Sequence, residues 1–333
     1  MTRELDANGQ APGLLMRGAV PIIDPDILRS IQGLPFSSFF CHTNDKSMDT
    51  GILAEYLSFL PRWIESSELN RVEGLDSFPL RRLTSGNTQA FDDFYIRHHD
   101  RTFKFLPGEY PYLSKYARRW ELLDEHTELT RKDALVMSAP FSATGNMHPR
   151  FYETLERADH LGIPVLIDCA FFGITRGLEL RLGYRCIEAV CFSLSKAFGA
   201  GCFRSGIELS KQSGGPASIQ NDWIYVQLLS AKIGLEIAKQ YSPDYIPRKY
   251  RDWQLEICGE FGLEPSNTVV FGLGGDAFRY FDVDGVVRRV CITPAIKARI
   301  EAQIEAQIEA RIEARIPARA AGAGEVEAAG ASR

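Results

Sequence analysis

Lys196 closes the run Cys191-Phe-Ser-Leu-Ser-Lys196, where a hydrophobic strand ends in two hydroxyls and a primary amine. The small-residue loop Ala-Phe-Gly-Ala-Gly follows, and Arg204 returns eight positions after the lysine. A strand-end lysine flanked by hydroxyls, a flexible loop and a fixed cation suits a covalent cofactor that carries an aldehyde and a phosphate. The amine forms a Schiff base, while a hydroxyl such as Ser193 and the Arg204 guanidinium hold the phosphate. For this run alone, a snorkelling lysine at a strand end is the alternative. A second group comes from Val165-Leu-Ile-Asp168-Cys-Ala-Phe-Phe172, a continuous apolar run broken by one acid. Such runs are strands buried on both faces of a parallel sheet. An aspartate at the carboxyl end of one points into the crevice where α/β proteins bind ligands; taken alone, Asp168 also fits a helix N-cap. Leu83-Thr-Ser-Gly86-Asn-Thr-Gln-Ala90 reads as a glycine turn opening a helix. Free N–H groups and the helix dipole there favour a phosphate, although most Ser-Gly-Asn turns are plain turns.

The lysine run resembles the lysine signature of the class I/II aminotransferases, the pyridoxal-phosphate enzymes of fold type I. That signature is close to Ser-x-Ser-Lys, a glycine, then x-Arg-x-Gly, which ends here at Gly206. Cys202 and Ser205 depart from it. The resemblance implies that Lys196 holds the cofactor and that Ser193 and Arg204 bind its phosphate. Asp168 stands where the family has Asp-x-Ala-Tyr, 28 residues before the lysine, and is implied to keep the pyridine nitrogen protonated. Phe171 replaces the family's tyrosine. Ser142, in Ser138-Ala-Pro-Phe-Ser142-Ala-Thr-Gly145, replaces an asparagine that bonds the same ring oxygen; both usual partners of that oxygen are therefore altered. Ser85, Gly86 and Asn87 match the family's phosphate turn. Tyr110, just before Pro111, matches the aromatic that stacks on the ring, with Tyr112 as second choice. Arg289, in Val286-Val-Arg288-Arg289-Val-Cys-Ile, matches the arginine that grips the substrate carboxylate; Arg288 falls on the opposite face of that strand. The resemblance spans about residues 80 to 295, and it rests on the order and spacing of five elements.

Those residues need a scaffold, and the rest of the chain describes one. Helical patterns at 50–67, 87–99, 111–124, 148–161 and 222–241 alternate with strand patterns near 102–106, 134–138, 164–168, 188–193 and 202–208. The alternation predicts an α/β protein whose large domain has a mostly parallel sheet flanked by helices. A helix, strand, strand pattern over 249–294 predicts a small C-terminal α+β domain. The expected division is an N-terminal arm and part of the small domain (1–50), a large cofactor-binding domain (51–242), the small domain (243–298), and a repeat helix with a tail (299–333). In the tail, Ile300, Ile304, Ile308, Ile312 and Ile316 repeat every fourth residue, a row that drifts about 40° per repeat around a helix. Glu301, Glu305, Glu309 and Glu313 form a like-charged row beside it. The Ala, Gly and Glu composition of 317–333 predicts disorder.

Composition narrows the function classes. A chain of 333 residues with 45% hydrophobic residues holds a packed core. The net charge of −5 carries no nucleic-acid footprint. Six histidines show no metal spacing, and seven cysteines form no CxxC pair, which predicts reduced thiols in a cytoplasmic protein. The polar first ten residues predict no signal peptide, and no apolar stretch reaches membrane-spanning length. The reading is an aminotransferase that uses pyridoxal 5'-phosphate, acts on a small-molecule amino acid and keto acid, and assembles as a homodimer. A lyase, cyclase or decarboxylase with the same cofactor is the first alternative, because of Phe171 and Ser142. A non-catalytic protein that kept the fold is the second, opposed by the intact Lys196 and Asp168.

Overall fold

A computed structural model of the protein describes residues 13–34 and 46–328. Much of the expected arm, residues 1–12 and 35–45 with Cys41, lies outside the described residues, as do residues 329–333.

Helices α1 (Pro25–Gln32) and α2 (Lys46–Glu65) come first. Asp24 starts α1 by accepting the Asp26 and Ile27 N–H groups, which no intrahelical carbonyl serves. The chain then alternates through β1 (Arg71–Glu73), β2 (Leu80–Ser85), α3 (Asn87–Arg97), β3 (Thr102–Phe105), α4 (Tyr112–Tyr116), β4 (Trp120–Leu122) and β5 (Asp133–Ser138). It continues through α5 (Phe151–Leu161), β6 (Val165–Cys169), β7 (Glu179–Arg181), β8 (Ile187–Ser193) and the single turn α6 (Leu194–Ala197). After β9 (Ser205–Ser210) come α7 (Pro216–Asp222), α8 (Leu228–Gln240) and α9 (Tyr245–Phe261). The short strands β10 (Glu264–Pro265), β11 (Phe271–Gly274), β12 (Asp282–Val283) and β13 (Val287–Cys291) precede the terminal helix α10 (Thr293–Ala328).

Seven strands form the central sheet, in the order β2-β9-β8-β6-β5-β3-β4. Only β9 runs against the others. The side chains of β5, β6 and β8 alternate between two apolar layers, as a strand period of two requires. Leu135, Met137, Val165 and Ile167 face one layer. Ala134, Val136, Leu166 and Ala189 face the other, under Phe91 and Phe94 of α3. Both faces are covered, so the strands read as continuous apolar runs. The mostly parallel sheet flanked by helices is the large-domain architecture read from the alternation, and a four-stranded antiparallel sheet, β10-β11-β13-β12, follows it. The N-terminal segment joins that sheet through a bridge from Met16 to Cys291.

Four expectations need correction. The helix expected over 111–124 is only α4, because the chain turns at Ala117 and pairs Trp120–Leu122 with the open edge of β3. The helix expected over 222–241 begins only at Leu228, as α8, because α7 ends at Asp222 and Ile224 takes positive φ between them. The strand expected at 202–208 starts at Ser205, because 200–203 form a 3₁₀ turn and Arg204 takes a left-handed conformation. The tail is helical through Ala328 instead of losing structure after 316. Ala, Glu and Arg propagate a helix well once an earlier turn has paid for nucleation. The start of α10 is anchored as its sequence suggests: Ile296 and Ile300 are buried, and Arg299 bonds Glu256 and Glu260 of α9. Ile304, Ile308 and Ile312 are exposed.

Among the described residues, no helix is long and apolar enough to cross a membrane, and no His/Cys/Asp/Glu group could hold a metal ion.

Candidate active site

A cleft of about 440 Å³ opens at the carboxyl ends of the parallel strands. The topology explains who reaches it. β6 and β8 run the same way, so Asp168 near the end of β6 and Lys196 just past β8 arrive on one rim. β9 runs the other way, so Arg204 at its start lies on that rim too. Two cations and an acid separated by many residues thus converge because one strand is reversed.

The Lys196 amine donates to the Ala19 carbonyl of the N-terminal segment. Burial lowers its pKa, and the Arg289 and Arg204 guanidiniums push the same way. Asp168 is 6% exposed. Its Oδ1 accepts the Asn87 side-chain amide at 2.5 Å and the Ala170 N–H at 3.0 Å. Its Oδ2 has no hydrogen-bond partner among the described residues. Burial pushes the carboxyl up to about 6, and the two donated hydrogen bonds oppose that rise. Asp168 lines the cleft, and its Oδ2 is an acceptor without a partner among the described residues.

At the other end, Arg204 Nη2 donates to the Ser85 carbonyl at 2.8 Å and to Thr88 Oγ1 at 3.0 Å. Gly86 makes this approach possible. Its φ is +75°, and a Cβ there would stand 2.7 Å from Arg204 Nη2. Ser193 caps α6, with its hydroxyl accepting the Ser195 N–H at 3.1 Å, and bonds Ser195 Oγ at 2.9 Å. Ser193 and Ser195 both line the cleft.

Tyr110 lines the cleft, half exposed, and stacks parallel on Tyr112 at 6.1 Å between centroids. Tyr112 itself is turned away to Asp92. Arg289 bonds the Ser142 carbonyl and lies 4.7 Å over the Phe271 ring, while Arg288 pairs with Asp276 on the opposite face. Burial lowers the Arg289 pKa. Ser142 and Phe171 both line the cleft, and Phe171 packs its edge on Phe271 at 5.4 Å.

The side chains of two expected phosphate residues point elsewhere, while their backbone forms the turn that opens α3. The Asn87 side-chain amide donates to Asp168 and to the Cys191 carbonyl, so it braces the acid. Ser85 lines a neighbouring pocket with Gln89 and Tyr225. Three cleft residues, Thr88, Ser195 and Glu109, escape the sequence pattern. Ser195 is the second hydroxyl of the lysine run, and Glu109 is the lone acid in the apolar turn Phe105-Leu-Pro-Gly-Glu-Tyr110.

The residues present fit pyridoxal phosphate on three structural grounds. Gly86 keeps a cradle open in front of Arg204, and among the described residues Asp168 Oδ2 has no hydrogen-bond partner and the Lys196 amine has only the Ala19 carbonyl.

No protein-family model matches the sequence, and neither does any curated protein. Solved structures do match the fold. A "probable N-succinyldiaminopimelate aminotransferase" from Thermus thermophilus superposes with a TM-score of 0.56 at 17% identity, over 84% of this chain and 89% of that one. Tyrosine aminotransferase from Leishmania infantum gives 0.55 at 11% identity, over 88% and 96%. A C-S lyase from Staphylococcus hominis, bound to pyridoxal phosphate, gives 0.52 at 10% identity, over 78% and 74%. The chain has the fold of these fold-type-I enzymes.

Proposed function

We propose that this chain is a pyridoxal-phosphate-dependent aminotransferase that moves an amino group between an amino acid and a keto acid. The observation that carries the reading is the convergence of Lys196, Asp168 and the Gly86–Arg204 cradle in one cleft. Bound there, the cofactor supplies an aldehyde that exchanges amines and a protonated ring that withdraws electrons from the substrate α-carbon.

The chain's own groups divide the work. Lys196 would hold the cofactor covalently through Nζ. Its lowered pKa makes the neutral amine accessible, so the same Nζ can take the proton from the substrate α-carbon as a general base. Asp168 Oδ2 would hold a proton on the ring nitrogen, and Asn87 fixes the carboxylate orientation from behind. Arg204, with Ser193, Ser195 and Thr88 around it, would bind phosphate by charge-assisted hydrogen bonds. Tyr110 would cover the ring, and Arg289 would take the substrate carboxylate in a bidentate grip.

A lyase with the same cofactor is the second reading. Phe171 offers no hydroxyl to the cleft and Ser142 has only a short one, and one structural neighbour is a C-S lyase.

The division into a large domain (51–242) and a small one (243–298) is part of the proposal, as is a homodimer. The exposed apolar side chains of Ile219, Trp223, Tyr225 and Leu229, on and between α7 and α8, support a partner on that side. Sedimentation of the loaded protein tests this, and a fully active monomer would contradict it.

The loaded protein should be offered a panel of amino acids with a keto-acid acceptor. Stoichiometric conversion of acceptor to amino acid supports amino transfer. Keto acid and ammonia formed without an acceptor assign the chain to the lyase reading.

A further inference from the structure

The hairpin between β12 and β13 brings a valine onto the cleft wall. Asp284 takes φ 50° and Gly285 φ 71°, the left-handed pair of a tight turn between antiparallel strands, and aspartate enters that region more readily than most side chains. The Val286 N–H donates to the Val283 carbonyl at 2.9 Å, and the Gly285 N–H to Asp282 Oδ1 at 2.7 Å. Register then decides which side chains look inward. Asp282 lies opposite Arg288, and Val283 opposite Val287. Opposed residues share a face, and alternate residues along a strand return to it, so Val283, Val287 and Arg289 stand on one face. Arg288, paired with Asp276, marks the other. Val283 and Arg289 both line the cleft.

These two residues are diagonal neighbours across the hairpin, about 7–8 Å apart along the backbone. Phe271 lies opposite Cys291, two residues beyond Arg289. The Arg289 guanidinium sits over the Phe271 ring and bonds the Ser142 carbonyl, so it leans along β13 away from Val283. Room is left between the guanidinium and the valine. The turn after β3 closes the side of that space. A Cβ on Gly108 would meet Val286 Cγ2 at 3.3 Å and the Ala143 Cβ at 2.8 Å, so hairpin and turn touch. Tyr110, two residues further on, lines the cleft. The N-terminal segment runs past Arg289, whose Nη2 donates to the Arg17 carbonyl at 3.4 Å, and Ala19 follows it into the lining.

We infer that Val283 is a specificity-determining residue whose methyl groups meet the substrate side chain, and that the substrate is an amino acid with an uncharged, apolar side chain. The inference rests on the aminotransferase reading, in which Arg289 takes the α-carboxylate. A carboxylate seated on the guanidinium sends the rest of the amino acid into the space beside Val283. A branched alkyl side chain gains there by leaving water. A second carboxylate would give up its water for methyl groups.

The test uses protein loaded with pyridoxal phosphate and two probes that lack an amine and cannot react with it. These are 4-methylpentanoate, which is leucine without its amino group, and glutarate, which is glutamate without its own. Calorimetric titration of wild type should show at least about a tenfold preference for 4-methylpentanoate. Val283→Ala should lose about tenfold for that probe and little for glutarate. Val283→Arg should reverse the preference by pairing the second carboxylate. Asp284→Asn, in the same turn but outside the cleft wall, should keep the wild-type ratio. In turnover with leucine, Val283→Ala should raise KM with kcat nearly unchanged, the mark of lost uniform binding. A merely structural role would weaken both probes alike. Should Val283→Arg fail to fold, wild type and Val283→Ala decide the matter. A wild-type preference for glutarate, or a probe ratio in the Val283 variants equal to that of wild type, would overturn the inference, while continued amino transfer would leave the proposed function standing. No binding of either probe, together with no reaction of any amino acid, would overturn both.

Discussion

The Asn87 side-chain amide donates to Asp168 Oδ1 at 2.5 Å and to the Cys191 carbonyl at 3.2 Å, clamping the acid between α3 and β8. Asn87 is the first residue of α3, so the glycine turn that opens the cradle also sets the acid at the far end of the cleft.

Asn87→Ala should therefore act through Asp168. A hydrogen bond to a charged group is worth about 1.5–3 kcal/mol, and its loss leaves only the Ala170 N–H on Oδ1. The Asp168 pKa should climb above about 6, and the acid limb of the turnover profile should move up with it. An unmoved acid limb, with phosphate affinity alone reduced, would return Asn87 to the phosphate end.

Asp168→Asn removes the charge and keeps the shape. Cofactor should still bind, while turnover falls by about 10²–10³-fold, the scale of one lost electrostatic group. In the ligand-free protein burial pushes the carboxyl up to about 6. Turnover should then be lost as pH falls through that value. The ligand-free fold behaves oppositely. Because the folded pKa is raised, this group's contribution to stability declines as pH rises from about 4 to about 6. Near-normal turnover in Asp168→Asn would remove the acid from the mechanism.

Gly86→Ala tests the cradle. A backbone with φ +75° and ψ 177° is essentially open only to glycine, at a cost of about 1–3 kcal/mol for another residue. The new Cβ would also push Arg204 aside. Cofactor affinity, read by absorbance titration, should fall at least about tenfold with a folded protein, since about 1.4 kcal/mol is a factor of ten. Unchanged affinity would mean that Arg204 does not hold the phosphate.

The site was legible in the sequence where chemistry and strand ends coincide. Lys196, Asp168 and Arg204 each terminate or start an apolar run, so their arrival at one rim followed from an α/β layout. What the runs could not show was direction. The reversal of β9 brings Arg204 back, and strand polarity depends on tertiary pairing, not on local pattern. The same limit hid the side-chain contacts of Asn87 and Glu109. That the Asn87 amide reaches Asp168, and that Glu109 lies beside Ser138, depends on tertiary packing. Residues 111–124 misled because a helical start at Pro111 carries no local sign that the open edge of β3 will capture Trp120.

The terminal helix should be dispensable beyond its anchored turns. Truncation after Gln307 keeps Ile296, Ile300 and the bonds from Arg299 to Glu256 and Glu260. It removes Ile308 and Ile312, both exposed. Cofactor binding, turnover and sedimentation should match the full chain. Dissociation or lost activity on truncation would make the exposed isoleucine row a working interface.

The most direct test of the account is where the cofactor attaches. Purified protein incubated with pyridoxal phosphate should turn yellow, and borohydride reduction followed by peptide mapping should place one pyridoxyl group per chain on Lys196. Lys196→Ala should carry none. A modified peptide elsewhere, or the same adduct in Lys196→Ala, would contradict the assignment of this cleft as the active site.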